Sequence, residues 1–142
     1  MRKLVFAISA LAFVTSTAFA DPISERKALM KSNGAAMGML APIVKGEKPF
    51  DAAVVLEALT KLNDDAQKTD VAKLWPAGSD TGDTKSSPKI WEDMAGFQAA
   101  VDKFKADTAS ALAAAPQDVE ALKVQMGVIG ANCGACHKAY RL

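Results

Sequence analysis

The sequence predicts an all-α protein, an antiparallel four-helix bundle, and three observations carry that expectation. Half of the 142 residues are hydrophobic, yet only one Tyr and two Trp occur. Alanine supplies much of the total, which suits closely packed helices better than a β-sandwich. Apolar residues recur at spacings of three and four along several segments, with no β-type alternation between them. The prolines fall near the ends of those segments, where a helix starts or stops.

The first twenty residues read as an export signal rather than as part of the fold. Arg2 and Lys3 form a positive start, Leu4 to Val14 an apolar run, and Ala18-Phe19-Ala20 a small-x-small cleavage site. The apolar run is too short to span a bilayer, so no membrane span is expected after cleavage, and the mature chain begins at Asp21 in the periplasm. Residues 21–142 then make one bundle domain. The leader holds two of the 17 basic residues and none of the 16 acidic ones, leaving 15 against 16. With no basic run or basic face among aromatics, nucleic acid is not an expected partner.

The first helix begins at Asp21-Pro22, a capping residue followed by proline at the first helical position, and runs to about Val44, with Gly46 as its stop. The second begins around Pro49-Phe50-Asp51 and continues to about Asp70, with Val55, Leu59, Leu62 and Ala66 on one seam. Residues 71–86 form the long connection, in which Leu74 and Trp75 tuck a short turn against the core. Ser87-Pro88 opens the third helix, with Ile90, Met94, Phe97, Val101, Phe104 and Thr108 in register until the chain reaches Pro116. The fourth starts near Asp118 and places Leu122, Met126, Ile129, Cys133, Cys136 and Tyr140 on one stripe.

Cys133-Gly134-Ala135-Cys136-His137 is a C-x-x-C-H haem-attachment sequence. Positions i and i+3 of a helix share a face, so both thiols reach the vinyl groups along one haem edge. The imidazole that follows projects towards the iron, and the two small intervening residues admit the porphyrin edge. A disulfide here would close too small a loop to stabilise much. A thioredoxin-type motif needs a βαβ context, and structural zinc needs about four ligands where this chain offers three. One covalent haem c is therefore expected, with Cys133 and Cys136 as attachment points and His137 as an iron ligand. Since His137 is the only histidine, the sixth position falls to a Met, to another side chain, or to none. Met30 shares a stripe with Arg26, Met37, Ala41 and Val44 and can face the interior, but Met37, Met39, Met94 and Met126 compete, and core filling is the blander reading of any of them.

A C-terminal C-x-x-C-H on such a bundle resembles the cytochrome c-prime family, including its low-spin c-556 type. Pro42-Ile43-Val44-Lys45-Gly46 with Pro49-Phe50-Asp51 is similar to that family's first interhelical turn. Ser87-Pro88-Lys89-Ile90-Trp91 is similar to its third-helix start, and Cys136-His137-Lys138-Ala139-Tyr140-Arg141 to its ending. The likeness covers the whole mature chain. It implies that Met30 is the distal residue facing the iron: in high-spin members this position is apolar and non-ligating, and in low-spin members it is a ligating Met. It also implies that Arg26 bonds a haem propionate or a nearby carbonyl, the alternative being a solvated charge at the helix start. Arg141, one turn beyond His137, either steadies the helix end against its dipole or flanks the imidazole. Trp91, Phe97 and Phe104 read as packing residues.

The expected function is electron transfer through a six-coordinate His/Met haem, with no enzymatic activity and with redox proteins of unidentified kind as partners. The alternative is a five-coordinate haem protein that binds nitric oxide or carbon monoxide. A homodimer through the first two helices and a monomer are both compatible with the sequence.

Overall fold

A computed structural model describes residues 21–142, so the expected export signal lies outside the described residues. Four long helices make the bundle: α1 (Pro22–Val44), α2 (Ala52–Lys68), α5 (Met94–Ala114) and α6 (Val119–Tyr140), with one-turn helices α3 (Val71–Leu74) and α4 (Lys89–Glu92) in the long connection. α1 packs on α2, α2 on α5, α5 on α6, and α6 returns to α1 to close the ring. Among the described residues there are no strands, and no helix is long and apolar enough to cross a membrane.

Aspartates start the long helices. Asp21, Asp51, Asp93 and Asp118 each accept hydrogen bonds from first-turn backbone N–H groups that lack a partner within the helix. The second helix starts at Ala52 and stops at Lys68, slightly inside the bounds expected from its apolar seam. The third differs more. The segment expected to run unbroken from Ser87 is split at Asp93, whose backbone leaves the helical region (φ −131°, ψ 58°). The break frees the Asp93 side chain to cap α5 through Gly96 N–H (3.0 Å) and to accept the Tyr140 hydroxyl (2.9 Å).

The interior is divided. A larger cluster, including Leu40, Ile43, Leu59, Leu62, Leu122 and Ile129, fills the half containing the α1–α2 turn. A smaller one, built on Val71, Leu74, Trp75, Phe97, Val101 and Tyr140, fills the other half. Trp75 meets Phe97 edge-on at 4.7 Å, and Phe97 meets Tyr140 at 5.2 Å. Between the clusters α6 contributes nothing buried: no residue from Gly130 to Ala139 is fully enclosed. Over this stretch α6 meets the core only through partly buried side chains, Cys133, Cys136 and Ala139.

Residues 76–86 strap the end of the bundle that holds this bare stretch. Arg26 of α1 donates from Nη2 to the Ser79 carbonyl (2.8 Å), and Lys27 pairs with Asp83. At the other end of the strap, Ser87 N–H donates to the Tyr140 carbonyl and Leu142 N–H to the Lys85 carbonyl, both at 2.9 Å. The two tryptophans hold it from inside, Trp75 on Ser86 Oγ (3.1 Å) and Trp91 on the Pro76 carbonyl (3.2 Å).

Candidate functional site

Cys133 and Cys136 lie on the inner seam of α6, and they mark the division in the core. Cys133 packs against the larger cluster and Cys136 against the smaller. Both are free, half-buried thiols. Burial pushes both thiols above their ordinary pKa, and Cys136 is pushed further by Cys133. They are neutral near pH 7, spaced one helical turn apart, and open to a group that enters between the clusters.

His137 points away from α5. Asn132 fixes that side of α6 by bonding Asp107 of α5 (2.6 Å), and five residues further the helix has turned by roughly 140°. That rotation brings His137 to the flank where α1 closes the ring. Its imidazole pKa is lowered by partial burial first and by the charge of Arg141 second. Both effects favour the neutral ring, which has a lone pair to offer a metal.

Met30 is placed by the same reasoning on α1. Ser32 hydrogen-bonds Asp65 of α2, so α2 lies on that side, and Met30, two residues earlier, sits roughly 160° round the helix from it. It therefore turns towards α6. The buried stripe of α1 is Arg26, Asn33, Ala36, Leu40 and Ile43; Met30 sits at its edge, 44% exposed, rather than inside it. Met37, Met39 and Met126 pack on the larger cluster and Met94 on the smaller. Among the described methionines, Met30 alone packs on neither.

Arg26 is 4% exposed, which removes the reading of a solvated charge. Besides Ser79, its guanidinium lies over the Trp75 ring at 5.5 Å, while Nε is buried with no partner. Asn33, two turns away on the same stripe, has a buried and equally unpartnered Oδ1. Arg141 is exposed and extended; it caps α6 by donating its N–H to the His137 carbonyl (3.1 Å) and forms a backbone bridge with Ser86. The roles of Trp75, Ser79 and Asn33 were not visible in the sequence, because their neighbours come from α1 and the strap.

These residues fit a flat, largely apolar macrocycle carrying a metal and acidic side groups. Two thiols one helical turn apart could attach it, the neutral imidazole of α6 and the Met30 thioether of α1 could offer donors to its metal, and the buried Arg26 Nε is a donor without a partner. The uncovered inner face of α6 is the surface such a group would cover.

The chain matches the family model described as cytochrome C′ over residues 21–141. It is 41% identical over 123 residues to cytochrome c-556 of Agrobacterium fabrum, covering 87% of this chain and 82% of that protein. It is also 41% identical over 122 residues to a cytochrome c′ of Rhodopseudomonas palustris, covering 85% and 82%. Among solved structures, cytochrome c′ from R. palustris aligns with a TM-score of 0.80 and 39% identity, covering 87% of this chain and 98% of that one. The NMR-validated structural model of oxidised R. palustris cytochrome c556 aligns at 0.73 and 36%, covering 86% and 96%.

Proposed function

The chain belongs to the cytochrome c′ family and is a c-type cytochrome, and we propose that it carries single electrons in the periplasm through one six-coordinate haem c. In this reading Cys133 and Cys136 would hold the haem covalently, and His137 and Met30 would ligate its iron. When bound, the haem supplies one iron that cycles between ferric and ferrous states. The observation that supports the reading is Met30: the other described methionines pack on the two core clusters, while this one is 44% exposed at the edge of the buried stripe of α1, on the flank away from α2.

Each residue then has a physical task. A thioether from Met30 would favour ferrous iron and raise the potential, and with His137 also bound the iron would have no open position for a substrate. The neutral imidazole needs no proton loss to bind. Arg26, fixed by Ser79 and Trp75, turns its free Nε to a haem carboxylate, a charge-assisted contact in a buried setting. The two apolar clusters exclude water on either side, which limits reorganisation as the charge changes. Relatives named both cytochrome c-556 and cytochrome c′ match this chain equally well, so the name of a relative does not decide the coordination.

The optical spectrum of the reduced protein, with and without carbon monoxide, tests the proposal. Sharp low-spin bands that carbon monoxide leaves unchanged are expected. A broad high-spin spectrum that shifts with carbon monoxide would overturn it in favour of gas binding. Met30→Ala should convert the first spectrum into the second, and a variant spectrum identical to wild type would remove Met30 from the ligand set.

A further inference from the structure

The outer face of α6 is unusual in a protein whose other helices carry dispersed charge. From Val124 to Ala139 the only charged side chain is Lys138, and Arg141 follows; no acid occurs on α6 after Glu120. Of the five large hydrophobics exposed among the described residues, three (Val124, Val128 and Leu142) lie on this helix or at its end, at 63%, 41% and 72% exposure. Val124, Val128, Ala131 and Ala135 share the side of α6 that faces away from its buried stripe and from α1, bordering the flank that Asn132 sets against α5, with Ala131 and Ala135 also exposed. Neither Lys138 nor Arg141 has an acidic partner among the described residues. Of the acids that reach α6 from α5, Asp107 is already taken by Lys103 (2.5 Å) and Asn132, and Asp93 by the Tyr140 hydroxyl and Gly96 N–H. Acidic side chains gather instead on α2, at Glu57, Asp64 and Asp65.

We propose that the outer face of α6, from Val124 to Arg141, is the surface on which a redox partner protein with an acidic rim and a small apolar centre docks. The inference rests on the electron-transfer reading and adds the place and charge of the partner. Two features favour that occupant. The unpaired cations stand at the end of the helix that carries the haem-attachment motif, so an acidic rim is drawn to where the electron must leave. The face is about 25 Å long, which suits the small, short-lived contacts of electron-transfer complexes. Lys138 and Arg141 steer the encounter, and the apolar stretch lets the partner approach without desolvating buried charge. In the exchange one electron leaves ferrous iron for the partner's oxidised centre, with no bond broken and no proton moved.

The test uses the reduced, haem-loaded protein and two small oxidants, anionic hexacyanoferrate(III) and cationic tris(phenanthroline)cobalt(III), mixed by stopped flow at low ionic strength. Lys138→Glu and Val128→Asp should each slow the anionic oxidant about fivefold and speed the cationic one, and both effects should vanish at high salt. Lys68→Glu on α2 should change either rate by less than about 1.5-fold. Opposite responses to the two oxidants separate surface charge from a shift in potential, which would move both rates the same way. If the two α6 variants match Lys68→Glu, the docking face is wrong. Sedimentation at several concentrations covers the other occupant: a dimer that Val128→Asp dissociates would show the face taken by a second copy and overturn the proposal. A high-spin, carbon monoxide-binding spectrum of the wild type would instead refute the electron-transfer reading itself.

Discussion

Replacing Gly96 by alanine should destabilise the protein, although helix propensity alone predicts the reverse. In an unobstructed helix interior the change gains at most about 1 kcal/mol. Here a Cβ at residue 96 would lie 2.3 Å from Asp93 Oδ2 and 2.7 Å from the Tyr140 hydroxyl, well inside van der Waals contact. Asp93 must swing away, and two interactions go with it. Its capping bond to Gly96 N–H contributes about 1 kcal/mol, and its bond to the Tyr140 hydroxyl, with a charged acceptor, about 1.5–3 kcal/mol. The net cost is about 2 kcal/mol, or about 8 °C in Tm for a domain of this size. Thermal melts of the haem-loaded protein followed by circular dichroism would measure it. A cycle with Tyr140→Phe isolates the shared contact: because both single variants break the same hydrogen bond, the double variant should cost about 1.5–3 kcal/mol less than their sum. A Gly96→Ala protein more stable than wild type, or strict additivity with Tyr140→Phe, would refute the argument.

Other consequences can be checked with less work. Arg26→Met keeps bulk over Trp75 but releases Ser79; it should lower Tm by several degrees and raise the carbon monoxide-reactive fraction, measured optically, while Arg26→Lys restores little because a single ammonium cannot reproduce the forked contact. A Cys133→Ala, Cys136→Ala double variant made without haem should be helical but poorly packed, binding a hydrophobic dye and melting without a sharp transition; a native-like melt would contradict the divided core. The carboxyls of Asp21, Asp83 and Asp107 are held below their ordinary range, chiefly by hydrogen bonds from Ser24, Lys27 and Lys103 respectively. A depressed folded-state pKa stabilises above the unfolded value of about 4 and is lost as the pH falls through the folded one. Tm should therefore be flat near neutrality and drop below about pH 4, with the drop blunted in Asp83→Asn.

Much of this arrangement is legible in the chain, and what is not has a physical cause. The four long helices declare themselves through capping aspartates, prolines and regular apolar seams, which are local properties. The attachment motif is local too. The split of the third helix at Asp93 is not, because its reward is a hydrogen bond to Tyr140, 47 residues away. Arg26 shows the same limit: sequence left it between a solvated charge and a buried donor, and the choice depends on Trp75 and on the strap folding over it. The stripe of Met30 lets it face the interior, and its place at the edge of the buried face, 44% exposed, is not legible there, since a stripe defines a face but not which neighbour covers its edge. The Asn33 amide, buried with an unpartnered oxygen, gave no sign at all.

The divided core also bears on how such a protein can be built. The larger cluster draws on α1, α2, α5 and the first three turns of α6, and its last fully buried member is Ile129. The residues that accept the cofactor come after it, within the final ten of the chain. A newly made chain can therefore close most of its interior while the attachment peptide is still loose and reachable for the joining of cofactor to thiol. The final turns then settle only once something fills the space beneath them. Assembly and quality control become one event: a chain that misses its cofactor is left with an unlatched tail, open to proteolysis.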